Sequence, residues 1–251
     1  MRQAQSALFT ILILFAGTIT AFAQTAEELV EKHIVALGGR DALSKLHSRL
    51  MTGTITMTTP GGDIKGSLES YNKAPNKARR LVKMDLSAFG MGEMTMDQRF
   101  DGTTGYVIDS VNGNRELAGR QLEDAKSDYF PSTFLKYKEL EIKVEVGGKE
   151  KIGDREATIL IMTAKSGTPM KFYLDPDTLM AIKMVATINV PQLGGDIEQT
   201  TEFSDYREID GVKIPFDLKV TNPAQSISIK LVKVEHNKDI DEALFSKPAE
   251  K

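Results

Sequence analysis

The sequence predicts a mainly β (α+β) fold: one curved antiparallel sheet, bent or forming an open, incomplete β-barrel, with helices plugged into its mouth. Three observations carry this. From Arg49 onward the apolar residues repeat with period two rather than 3.6. Turn signals such as Thr59-Pro60-Gly61-Gly62-Asp63 and Val111-Asn112-Gly113-Asn114 separate the runs at short intervals. About eleven strands result, against only two helical segments, and a single sheet of that length curls and leaves a concave face to be covered.

Taken in order, Thr25-Ala26-Glu27-Glu28 is a capping box that starts a helix. Leu29, Val30, His33, Ile34 and Leu37 mark its apolar face, and Gly38-Gly39 ends it. A short turn of helix over Asp41 to Leu46 follows. In the first strand Met51, Gly53, Ile55 and Met57 alternate with threonines, and Ile64 to Asn72 is its hairpin partner. Ala78, Arg80, Val82, Met84 and Leu86 form the next face, apolar but for one arginine. Met91 to Phe100, which carries Met94 and Met96, and Thr104 to Asp109 flank the Asp101-Gly102 turn. Between Glu116 and Glu139 the β pattern stops. Leu117, Gln121, Leu122 and Ala125 space as a helix, and Pro131 breaks it. Strands then resume from Leu140 to His236. Met170 and Phe172 lie on one of them, and Ile214, Phe216 and Leu218 alternate on another. The longest alternation is MAIKMVATINV, where Met180, Ile182, Met184, Ala186, Ile188 and Val190 share one face.

The first residues stand apart from this pattern. Arg2, the apolar run Leu8 to Ile19 and Ala21-Phe22-Ala23 read as a secretory signal peptide over residues 1–23, cleaved before Gln24. The run is short for a membrane span, which takes about 20 residues. Residues 24–251 then form one domain, without a fixed-period repeat or a low-complexity linker. With 32 basic and 35 acidic residues in the whole chain, and Arg2 removed with the signal, the domain is mildly acidic. No basic, aromatic-interleaved stripe points to nucleic acid. Zero cysteines exclude disulfides and thiolate metal sites. The expected location is the periplasm.

No phosphate-loop, nucleophile-elbow or zinc-protease motif occurs. The three histidines, His33, His47 and His236, lack the i+2 or i+4 partner that argues for zinc. Asp175-Pro176-Asp177 and Asp101-Gly102-Thr103 read as turns, because proline presets φ and aspartate caps the nearby backbone. The expectation is a protein without catalytic residues, metal or cofactor.

Four stretches together resemble the outer-membrane lipoprotein-sorting (LolA/LolB-like) family of periplasmic carriers. These are TAEELVEKHIVALGG with RLMTGTITM behind it, FDGTTGYVIDSVNG, KFYLDPDTLMAIKMV and FSDYREIDGVKIPFDLKV. The resemblance implies an incomplete antiparallel β-barrel with a helical lid over a hydrophobic cavity that binds acyl chains of lipids or lipoproteins. It also implies exchange with an inner-membrane transporter and an outer-membrane acceptor. In the carrier subgroup an arginine inside the cavity helps hold the lid closed; Arg80 is the candidate and Arg49 the second, while a side chain snorkelling to the rim is the alternative for Arg80. The receptor branch is anchored through a cysteine, which this chain lacks; that favours a soluble carrier.

The expected cavity wall is Met51, Ile55, Met57, Val82, Met84, Met94, Met96, Met170, Phe172, Met180, Ile182, Met184, Ile188, Ile214, Phe216 and Leu218. The expected lid is Leu29, Val30, Ile34 and Leu37 with Leu117 and Leu122. Burying the large residues of Met180 to Val190 is worth on the order of 10 kcal/mol, so something must cover that face. An acyl chain of ~12 methylenes offers a comparable sum. A core filled by the protein's own side chains, making the domain an envelope scaffold, is the competing reading. Methionine on so many strands suits a wall that must accept variable shapes.

Overall fold

The structure, a computed structural model, describes residues 24–165, 167–190 and 194–248; the expected signal peptide lies outside the described residues. Thr25 caps helix α1 (Ala26–Ala36) through the predicted capping box, its hydroxyl accepting from the Glu28 N–H at 3.1 Å. A one-turn helix α2 (Arg40–Ser44) follows. The strands β1 (Ser48–Thr59), β2 (Gly62–Lys73), β3 (Lys77–Asp85), β4 (Glu93–Phe100), β5 (Gly105–Asp109) and β6 (Arg115–Glu116) then form one meander. Helix α3 (Gly119–Ser127) and a 3-10 turn at Thr133–Leu135 lead to the second meander. It comprises β7 (Lys143–Ile152), β8 (Arg155–Thr163), β9 (Pro169–Leu174), β10 (Ala181–Val190), β11 (Gly195–Ile209), β12 (Val212–Asn222) and β13 (Gln225–His236).

All thirteen strands join in one antiparallel sheet, ordered β6-β5-β4-β3-β2-β1-β13-β12-β11-β10-β9-β8-β7. The first and last strands pair in the middle, and the edges β6 and β7 do not close on each other. The fold is therefore an incomplete barrel, as the alternation predicts. The count exceeds the expected eleven partly because β6, at two residues, is too short to show a period.

The curvature follows from simple lengths. The chain leaves the first meander at one edge and enters the second at the other, so residues 117–142 must cross the mouth. Arg120 of α3 pairs with Asp196 on β11, while Ala125 lines a cleft with Arg80 of β3. β3 and β11 lie five strand positions apart, about 24 Å in a flat sheet. Two helical residues five positions apart are separated by only ~8 Å. Both contacts exist because the sheet bends round the helix.

Helix α1 plugs one end. Leu29, Val30 and Ile34 are wholly buried, in a core with Phe134, Leu160, Leu174, Val212 and Phe216. Its C-terminus docks on the β11–β12 hairpin, where the Lys213 N–H donates to the Leu37 carbonyl at 2.9 Å. Gly38 permits this: its φ is 127°, and a Cβ there would lie 2.1 Å from the Gly211 carbonyl oxygen.

One expected face is broken. β10 pairs Ala181 with Leu174 and then Lys183 with Tyr173, so Ile182 is an extra residue in a β-bulge. Ala181 buries in the main core, whereas Ile182 turns to the opposite face and packs with Ile159 and Tyr173. Beyond the bulge Met184 faces Phe172 and the inner alternation resumes.

Candidate functional site

The register lines up side chains of the inner face in rungs across neighbouring strands. Met94, Met84, Gly66, Ile55, Ile229 and Leu218 form one rung. Met96, Val82, Leu68, Gly53 and Leu231 form the next. Ile55, Val82 and Met84 are buried, and Met57, Met94 and Met96 pack half-buried against them. Two residues further along the strands the chemistry changes: Gln98, Arg80 and Ser70 lie beside Met51 and Val234, then Phe100, Ala78, Asn72, Arg49 and His236. The inner face is thus an apolar trough that turns polar at one end.

The remaining expected wall residues divide by location. Ile214 and Phe216 are buried in the α1 core, with Met51, Phe172 and Leu218 half-buried against it. Met170 pairs with Met162 and Ala186, Met184 with Thr201, and Ile188 with Ile197. Met180 is buried at the turn preceding β10, and Ile182 is on the other face. Of the expected lid residues, Leu29, Val30 and Ile34 belong to the core plug and Leu37 packs beside it. Leu117 is buried against Gly105, and Leu122 is half-buried on α3.

Helix α3 is held differently from α1. It buries none of its residues. It is tied to the far wing by polar contacts: Arg120 pairs with Asp196, and the Gln121 amide donates to the Asn189 carbonyl at 2.9 Å. These partners are about 70 residues away in the chain, so no local sequence signal could have found them. Arg120, on the helix itself, pairs with the far wing, while Arg49 lies over the Phe130 ring and Arg80 shares a cleft with Ala125 and Asp128.

Those two arginines line adjoining clefts at the polar end. One, of about 130 Å³, is bounded by Arg80, Ser70, Gln98, Ala125 and Asp128. The other, of about 160 Å³, is bounded by Arg49, Lys77, Asp128, Tyr129 and Phe130; Asn72, Asn76 and Ala78 line both. Arg49 Nε donates to His236 Nε2 at 3.0 Å, and its guanidinium lies 5.2 Å from the Phe130 ring centre. Because His236 accepts at Nε2, its proton sits on Nδ1 and donates to Asp210 at 3.1 Å. Burial without a compensating carboxylate pulls Arg49 down to about 10. Asp128 is exposed at the mouth of both clefts, and its Oδ1 accepts from the N–H of Tyr129 and the hydroxyl of Thr133.

No family model and no curated protein matches the chain. Solved structures do. A DUF1329 family protein from Desulfovibrio piger superposes with a TM-score of 0.58 at 14% identity, covering 89% of this chain and 98% of its own. A LolA superfamily protein from Nitrosomonas europaea gives 0.55 at 14%, covering 90% and 99%. The chain has a LolA-like fold. A domain from Vibrio parahaemolyticus, named for outer membrane lipoprotein sorting, gives 0.55 at 12%, covering 87% and 95%. The LolA-like fold matches the expected incomplete barrel over nearly the whole described chain.

Proposed function

We propose that this protein is a non-enzymatic periplasmic carrier that holds acyl chains of lipids or lipoproteins in the inner trough of its LolA-like fold. The observation that carries the reading is the contrast between the two helices. α1 is fixed by buried apolar side chains, whereas α3 crosses the mouth with none buried and polar ties at its far end. A cover without buried apolar contacts opens at low cost compared with global unfolding. The inner face also carries a methionine-rich wall able to adjust to a guest. Exchange with an inner-membrane donor and an outer-membrane acceptor belongs to the same proposal, as does export by the signal peptide.

One observation favours the filled-core scaffold instead. Ile55, Val82 and Met84 are already buried, and the two polar clefts are smaller than the roughly 300–1,000 Å³ of ligand pockets. Mass spectrometry of an organic extract from detergent-free periplasmic protein separates the two. A near-stoichiometric lipid supports the carrier; an empty extract from a folded protein that binds no apolar dye supports the scaffold. Met184→Glu, on the inner face, should abolish uptake of such a dye while the β signal in circular dichroism persists. Ile182→Glu, on the opposite face, should leave uptake intact.

A further inference from the structure

Nine arginines lie within the described residues, and seven of them pair with a carboxylate: Arg40, Arg79, Arg99, Arg115, Arg120, Arg155 and Arg207. The two that form no ion pair there are Arg49 and Arg80; both line the clefts, where the third lining arginine, Arg79, is held by Asp97. Resting on the carrier reading, we propose that these clefts bind the anionic headgroup, a carboxylate or phosphate, of a single-chain or double-chain amphiphile whose acyl part lies along the trough.

The placement is specific. Arg80 shares its strand face with Val82 and Met84, so a headgroup at Arg80 leaves its chain over the apolar rungs, which extend about 13 Å along the strand. Arg49 commits only its Nε, to a neutral His236, so both terminal nitrogens of the guanidinium remain for a ligand. Asn72 and Asn76 bring amide donors to the walls shared by both clefts. Lys77 is already paired with Glu242 at 2.5 Å, and Asp128 is the single carboxylate lining the clefts, which Arg49, Arg79 and Arg80 also line. A planar guanidinium binds either oxyanion through two parallel hydrogen bonds, which a neutral ester or alcohol does not offer.

The test is a fluorescence titration of residues 24–251 with cis-parinaric acid and with its methyl ester, repeated for Arg80→Gln and Arg49→Gln and in the presence of inorganic phosphate. The acid is expected to bind about tenfold tighter than the ester, the size of a lost charge-assisted hydrogen bond. Each substitution should close that gap by weakening the acid alone, and phosphate should compete only at millimolar levels. Equal binding of acid and ester by the parent and both variants overturns the headgroup site and leaves the carrier standing. Phosphate binding as tightly as the acid assigns the clefts to a free anion and also overturns it. If neither probe binds, the carrier reading fails and this inference with it. Arg80 is exposed, so Arg80→Gln decides the matter should Arg49→Gln fail to fold.

Discussion

Replacing Ile34 by alanine tests whether α1 is a structural plug rather than part of a moving lid. Ile34 is 0% exposed in the main core, one residue from Val35, which is 71% exposed on the same helix. The substitution removes three methylene equivalents, about 2.4 kcal/mol of transfer free energy. The surroundings, Phe134 and the sheet among them, relax only in part, so the residual cavity adds about 1–2 kcal/mol. The sum, about 3–4 kcal/mol, corresponds to a fall in Tm of roughly 10 °C for a domain of this size. Urea unfolding followed by circular dichroism should show that loss in the midpoint with an unchanged slope. Val35→Ala, the internal control, should stay within about 0.5 kcal/mol. A loss below about 1 kcal/mol for Ile34→Ala would refute the plug: α1 would then be as loosely held as α3, and the division between the helices would be wrong.

Gln121→Ala removes one neutral hydrogen bond tying α3 to Asn189, worth about 1 kcal/mol; amide hydrogen exchange over residues 119–127 should quicken about fivefold while the global urea midpoint barely moves. An exchange rate identical to that of the parent would mean the bond does not hold the helix. Acid should destabilise the fold in two stages. Burial lowers His33, outweighing its 2.7 Å bond to the Leu179 carbonyl. The unfolded chain therefore takes up that proton first, and stability falls as pH drops below about 6.5. Burial raises Asp101, but hydrogen bonds from Thr104 and Thr103 outweigh it and bring it to about 2. Its contribution is complete above the ordinary value of 3.8 and is lost as pH falls toward about 2. Urea midpoints flat between pH 7 and 5 would contradict the first stage, and a lower stage unchanged in Asp101→Asn would contradict the second.

Most of the fold was legible because its signals are local. The capping box at Thr25, the alternation in β1 and β12, and the aspartate-capped turn at Asp175 each involve residues within a few positions of one another. The turn even appears in detail, with the Asp175 carboxylate accepting from the N–H groups of Asp177 and Thr178. The alternation also placed Arg80 on the face of Val82 and Met84, where the register puts it. The same reasoning misassigned Ile182, since a bulge is set by the pairing partner and leaves the hydrophobic period of its own strand unmarked until Tyr173 is seen opposite.

By itself, then, the chain determined that an open, curled antiparallel sheet would form and which residues would be apolar, because period and turn chemistry act over a handful of residues. Only the tertiary structure decided that α1 is buried while α3 crosses the mouth with no buried residue, that Arg120 meets Asp196, and that Arg49 and Arg80 form no ion pair among the described residues. Those outcomes depend on contacts between residues tens of positions apart, brought together by the curvature of a sheet in whose middle the first and last strands pair, and no local pattern encodes them.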